Sequence, residues 1–370
     1  MAASRALVGA SMLLACGRTA AFVTTGIRPG YTYAGAKVFH AASATAVRGL
    51  SSLRMSDNEF DDYNSKVTFM FPGQGAQYVG MAATICDEVP KAKELFETAN
   101  GILGYDLLDK CTNGPKEVLD STEVSQPAIF VCSMAALEKL RQDKGDAALE
   151  EATCAMGLSL GEYTALCFAG AMSFEDGVKV TKARGEAMQA ASDATDGSMV
   201  SVIGLSSDAV KEVCTAATEK AGKPVQIANY LCNGNYAVSG ASSACDVVEQ
   251  QVAKPDFKAR MTVRLAVAGA FHTSLMEGAV DKLGFVLDTI EIKKPKIPVI
   301  SNVDAKPHSD PATIKEILKK QVTNPVLWEN SLKEVLSKGY EQGYECGPGK
   351  VIAGIMKRTD KKAAIANIEV

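Results

Sequence analysis

Histidine is scarce in this 370-residue chain: there are three, His40, His272 and His308, so any chemistry that needs an imidazole has few places to be. Ten cysteines run from Cys16 to Cys346 without a C-x-x-C pair or a Cys/His cluster, which argues against a zinc site and against a disulfide framework. Cys132, Cys154, Cys167 and Cys214 sit among apolar neighbours as small core residues do, and a reducing compartment is the simpler inference. No stretch approaches the ~20 apolar residues of a membrane helix, because Arg18 interrupts the one candidate; no membrane partner is expected for the mature form. Basic residues are not in excess, the net charge being -4, so nucleic acid is not an expected partner. Phosphate-binding loops are missing too. No G-K-[ST] follows Phe71-Pro72-Gly73-Gln74-Gly75, and Gly347-Pro348-Gly349-Lys350 runs into Val351. What is left, 47% hydrophobic and 22% charged, is the composition of a globular protein with a full core.

Acidic residues are also missing from one region, the whole of the chain before Asp57. Arg5, Arg18, Arg28, Lys37, Arg48 and Arg54 are scattered there among Ala, Ser, Thr and Gly, the make-up of a targeting segment. Its two parts differ. Ala6 to Cys16 is a short apolar core behind Arg5, closed by Thr19-Ala20-Ala21 before Phe22, and the rest to Met55 is basic and hydroxylated like a transit peptide. Residues 1–64 are therefore expected to be a bipartite targeting peptide and an acidic spacer. The expected destination is the plastid stroma, with the mitochondrion as the alternative.

The stretch that organises the remainder is Gly157-Leu158-Ser159-Leu160-Gly161, a G-x-S-x-G pattern. Ala152 to Met156 before it reads as a buried strand, and Glu162 to Phe168 after it as a helix ending at Gly170. Strand, sharp turn and helix hold a serine hydroxyl clear of the backbone, where a nucleophile belongs; an ordinary turn serine is the alternative. Val67 to Phe71 reads as a strand running into the loop at Gln74, whose glycines place amide groups over a cavity. Helices are expected over Met81 to Asn100, from Gln126-Pro127 to Lys139, and after the cap Ser173-Phe174-Glu175-Asp176. Arg184 borders the apolar stripe of that last helix, either as a snorkelling surface residue or as a charge kept for an anion.

From Ser198 the pattern becomes strand (Ser198 to Gly204), helix (Ser207 to Ala221), strand (Val225 to Leu231), strand (Asn235 to Gly240), helix (Ser242 to Val252) and strand (Ala259 to Val267). That order is ferredoxin-like. Strand and helix then alternate to the end, with strands at Val299 to Val303 and Gly343 to Cys346 and helices at Ile314 to Gln321, Trp328 to Ser337 and Lys350 to Arg358. The fold class is α/β: a large subdomain (residues 65–196 and 268–370) interrupted by a small one (residues 197–267).

A serine hydroxyl needs a base, most often histidine. His40 lies in the removable segment and His308 in the polar loop Lys306-Pro307-His308-Ser309-Asp310-Pro311, so His272 is the candidate; a satisfied core histidine is the alternative. Placed at a helix start, its ring is expected to stay neutral.

Taken together, Phe71-Pro72-Gly73-Gln74-Gly75, Gln126-Pro127, the Ser159 motif with Glu162-Tyr163, Arg184-Gly185, Gly269-Ala270-Phe271-His272, Asn302-Val303-Asp304, Gln321, Asn324-Pro325-Val326 and Gly347-Pro348-Gly349-Lys350 resemble the malonyl-CoA:acyl carrier protein transacylases, in order and over the chain from Val67 onward. The resemblance implies an α/β-hydrolase-like large subdomain with a ferredoxin-like insert, and an enzyme that moves malonyl from malonyl-CoA to acyl carrier protein with no cofactor. It implies that Ser159 is the nucleophile, His272 the base, and the N–H groups of Gln74 and Leu160 the oxyanion hole. It further implies that Arg184 clamps the malonyl carboxylate, Gln126 lines the same site, and the main-chain carbonyl of Gln321 orients the histidine. Leu158 stands where many bacterial members carry His, which touches pocket details only. A serine hydrolase on the same site, or a non-catalytic carrier-binding scaffold, are the alternatives. Lys350, Lys357, Arg358, Lys361 and Lys362 are candidates for docking the acidic carrier.

N-terminal sequencing of the mature protein tests the leader. Plastid import predicts two cuts and a start well beyond Phe22; a start at Phe22 with no second cut would refute it.

Overall fold

In the computed structural model, residues 59–370 are described apart from 255, 256, 258, 266 and 268. The targeting segment read from the sequence lies outside them. Glu59 to Asn64, read as a spacer, packs on the body: Phe60 is buried and Lys338 donates to the Asp61 carbonyl at 3.2 Å.

Strand β1 (Val67–Phe71) is all but fully buried, as an apolar run in a parallel sheet must be. It lies between β2 (Cys154–Gly157) and β8 (Gln342–Cys346); β7 (Val299–Ile300) flanks β2, and β9 (Ile365–Ile368), unread in the sequence, flanks β8. All four pairings are parallel. In such a sheet the carboxyl ends of the strands share one edge, and that edge is where ligands bind. Because Phe71 stands opposite Gly157 in the ladder, the loop from Pro72 and the turn at Ser159 leave the sheet side by side. The expected strand Val299 to Val303 stops at Ile300, since beyond it the backbone bends and the Asn302 N–H goes to a side chain instead of a ladder.

The second sheet is antiparallel, in the order β4 (Val225–Cys232), β5 (Asn235–Ala241), β3 (Gly197–Ile203), β6 (Met261–Arg264). The helices Ser207–Ala221 and Ser242–Val252 complete the strand-helix-strand-strand-helix-strand order that the sequence suggests. The edge strand β6 is shorter than the expected Ala259 to Val267, although the Arg260 and Leu265 N–H groups at its ends still donate to the Ile203 and Met199 carbonyls of β3.

Two long helices bring polar side chains to the edge of the parallel sheet. Helix Phe174–Asp193 starts as read, with Ser173 Oγ accepting from the Asp176 N–H at 3.1 Å. Helix Thr122–Lys144 starts four residues before the expected Gln126 and carries Pro127 inside it; Val124 and Ser125 already donate to the Ser121 carbonyl. The two pack tightly where small residues permit it. A Cβ on Gly185 would stand 2.6 Å from the Thr122 carbonyl oxygen, so the glycine beside Arg184 is what lets this helix lie against the start of the one bearing Gln126.

Candidate active site

Ser159 follows β2 directly and precedes helix Gly161–Phe168, with φ +52, a left-handed conformation that costs a non-glycine residue of order 1 kcal/mol. Both flanking glycines are needed. A Cβ on Gly157 would lie 1.9 Å from the Gly161 carbonyl, and one on Gly161 would lie 2.1 Å from the Phe71 oxygen. Asn302, at the end of β7, clasps the turn: its Oδ1 accepts from the Ser159 N–H at 2.6 Å and its Nδ2 donates to the Gly157 carbonyl at 2.7 Å. The turn is thus held in a strained shape by bonds from the bend that follows β7.

Ser159 Oγ lies 2.8 Å from His272 Nε2, and His272 Nδ1 lies 2.8 Å from the Gln321 carbonyl oxygen. A carbonyl can only accept, so Nδ1 carries the proton and Nε2 is free to take the serine's. His272 is 3% exposed and sits at φ +59, and Gln226 of β4 donates to its carbonyl at 3.1 Å. Burial, and then the charge of Arg184, push its pKa down to about 4. The neutral ring expected from a helix start therefore has another cause: the α-helix begins only at Glu277, after a short 3-10 turn.

Arg184 is 1% exposed, not the snorkelling residue that an edge-of-stripe position usually means. Its Nη1 donates to Gln126 Oε1 at 2.8 Å, and its Nη2 donates to Gln321 Oε1 at 2.9 Å and to Ser159 Oγ at 3.1 Å. Nε has no partner, and no carboxylate of the described residues pairs with the guanidinium. Burial lowers its pKa, yet an arginine keeps its charge. Below it, the Tyr163 ring lies 5.3 Å from the guanidinium carbon, a cation–π contact.

Gly73 brings the β1 loop against the elbow so closely that a Cβ there would be 2.3 Å from the Leu158 oxygen. Gln74 consequently lines the same cavity as Ser159, and its side chain reaches Thr122 Oγ1 at 3.3 Å. The main-chain N–H groups of Gln74 and Leu160 have no acceptor among the described residues. This cavity, about 240 Å³, is walled by Met188, Leu231, Phe271 and Val351, with Ser159, Arg184 and His272 at its polar end. A larger cavity, about 810 Å³, lies near Gln226 between helix Ser207–Ala221 and Pro325, but none of those three residues faces it. Converging polar groups, not volume, mark the site.

Two further residues shape the site that their sequence positions alone do not mark, although both lie within the motifs of the family resemblance. Asn302 is one. Glu162 is the other: buried to 3% exposure, its Oε2 accepts from the Asn302 N–H at 3.1 Å and from Gln321 Nε2 at 2.6 Å, and burial raises its pKa to about 7. His308 stays outside the site, paired with Asp304 at 2.8 Å, and Lys350 pairs with Glu369 at 3.5 Å.

Residues 68–370 match the sequence profile of the acyl transferase domain. The mitochondrial malonyl-CoA-acyl carrier protein transacylase of Mus musculus is 42% identical over 304 residues, 80% of this chain and 79% of its own. The solved malonyl CoA-acyl carrier protein transacylase of Coxiella burnetii superposes with a TM-score of 0.78 at 34% identity, covering 83% of this chain and 94% of the other. A type II PKS acyl-carrier protein in complex with its malonyl-transacylase gives 0.77 at 32% identity, over 82% and 96% of the two chains. With its serine elbow, imidazole and buried guanidinium converging on one cleft, this chain belongs to the malonyl-CoA-acyl carrier protein transacylase family of acyl transferases.

Proposed function

We propose that the chain transfers malonyl from malonyl-CoA to the phosphopantetheine thiol of an acyl carrier protein, through a malonyl ester on Ser159. The observation that carries this reading is Arg184: a buried cation with only neutral partners, one unpartnered N–H, and a place 3.1 Å from the Ser159 hydroxyl. A desolvated charge of this kind is costly by several kcal/mol until an anion pairs with it. A malonyl thioester offers such a carboxylate a short distance from its reactive carbonyl.

In the first half-reaction His272 Nε2 takes the hydroxyl proton as Ser159 Oγ attacks the thioester carbon. The N–H groups of Gln74 and Leu160 receive the developing oxyanion. The C–S bond then breaks, and His272 returns its proton to the departing CoA sulfur. In the second half the carrier's thiol gives its proton to His272, attacks the ester carbon, and Ser159 leaves with the proton restored. No electrons are exchanged and no cofactor is required. The Gln321 carbonyl holds the imidazole tautomer throughout, and Gln126 Oε1 holds Nη1 of the guanidinium at the site. The apolar walls favour an acyl chain and a thiol arm over free water, which supports transfer over hydrolysis.

For architecture, we propose residues 65–196 and 268–370 as the catalytic subdomain and 197–267 as the insert. For the leader, which lies outside the described residues, we propose plastid delivery; the mitochondrial name of the mouse relative supports the alternative organelle.

Arg184→Ala is expected to lower kcat/KM for malonyl-CoA about 100-fold or more while acetyl-CoA transfer holds or rises, because only malonyl loses a charge-assisted pair. Equal losses on both substrates would count against the clamp. Followed by NMR, the His272 ring should stay neutral down to about pH 5 and protonate only near pH 4, as its depressed pKa requires. Titration near its ordinary 6.5 would contradict a buried ring depressed by the neighbouring guanidinium.

A further inference from the structure

We infer that Glu162 is a positioning residue that governs substrate choice at Arg184 by fixing which way the side-chain amide of Gln321 points, an inference that rests on the malonyl reading above. The two ends of a glutamine amide are alike in shape and opposite in function. Here Oε1 accepts from Arg184 Nη2 at 2.9 Å, while Nε2 donates to Glu162 Oε2 at 2.6 Å and to the Ser159 carbonyl at 3.0 Å. Turned about, the amide would press an N–H against the guanidinium and an oxygen against two acceptors. Every contact would become a mismatch, in a place where water is excluded.

The Ser159 carbonyl alone is a weak reason for the orientation, because it also belongs to the strained turn. Glu162 is the strong one. Its carboxylate is itself anchored by the Asn302 N–H on the same Oε2, so a proton on the group would occupy the other oxygen and leave the orientation unchanged. Glu162 makes no hydrogen bond to Arg184, His272 or Ser159 Oγ; apart from the through-space attraction between its carboxylate and the guanidinium, its influence passes through Gln321. Gln321 divides its roles, since its main-chain carbonyl serves His272 while its side chain serves Arg184 and also bonds the Ser159 carbonyl. Removing the side chain leaves the histidine's partner in place. The two roles can therefore be separated by experiment.

The test measures kcat and KM on malonyl-CoA and acetyl-CoA for Glu162→Ala, Glu162→Gln, Gln321→Ala, the double variant Glu162→Ala/Gln321→Ala, and Arg184→Ala as reference. Glu162→Ala should raise KM for malonyl-CoA about tenfold and shift KM for acetyl-CoA by less than about twofold. Glu162→Gln, which restores an acceptor oxygen, should recover most of the loss. Gln321→Ala should give the same malonyl-selective change, and the double variant should be no worse than the more affected single. Additive losses, or equal losses on both acyl groups, would overturn the inference. If Glu162→Ala does not fold, Gln321→Ala and Glu162→Gln carry the test: a malonyl-selective rise in KM is expected in the first and near-unchanged constants in the second, and an unselective or absent effect in Gln321→Ala, or a loss in Glu162→Gln as large as that in Gln321→Ala, would likewise overturn it. Loss of malonyl preference in Arg184→Ala with additive Glu162 and Gln321 effects defeats this inference alone, whereas an Arg184→Ala enzyme that keeps its malonyl preference defeats the reading beneath it.

Discussion

A guanidinium shut away from water, with no acid among the described residues to pair with it, is the constraint to which the rest of this molecule answers. Arg184 is held by two glutamine oxygens and a serine hydroxyl, all neutral, and each of those groups is held in turn. Neutral partners satisfy hydrogen-bonding directions without neutralising the charge, so the proposed malonyl carboxylate would be the group that compensates it. Pairing Arg184 with a resident carboxylate would relieve the molecule and blunt that preference. Glu162, the carboxylate nearest in the network, is kept one residue away behind Gln321.

The same charge shapes its neighbours. It helps burial to depress His272, which keeps the imidazole neutral and its Nε2 free beside the serine. Geometry does the remainder. The parallel sheet delivers the Gln74 loop, the Ser159 turn and Asn302 from the carboxyl ends of β1, β2 and β7, and glycines at positions 73, 157 and 161 let three stretches of backbone approach more closely than any side chain would permit. Gln226 of β4 donates to the His272 carbonyl, and Val326, in the segment that follows the Gln321 helix, bridges to Asn229 of β4, so the antiparallel sheet and that segment together hold His272.

Much of this was legible in the sequence because its determinants are local. The elbow needs a strand, small residues and a helix in succession, and all three are adjacent; Ser173 capping and the alternation from Ser198 onward are likewise short-range. What was not legible depends on partners far along the chain. Asn302 and Gln321 bond to the elbow region across more than 140 positions, so nothing near them announces that the strand at Val299 must stop early or that a glutamine side chain will face an arginine. Glu162 lies in the first turn of a helix, where an acidic residue is ordinary, so nothing local marks it as buried. The burial of Arg184 came from Gly185 and the start of helix Thr122–Lys144, a contact no helical stripe predicts.

The most direct measurement is intact-mass analysis in a single turnover: the protein mixed with malonyl-CoA, then chased with phosphopantetheinylated acyl carrier protein, with peptide mapping of any adduct. The account predicts one malonyl group on Ser159, absent from Ser159→Ala, that passes to the carrier and not to water. An adduct on another residue, no adduct at all, or release of free malonate during the chase would contradict it.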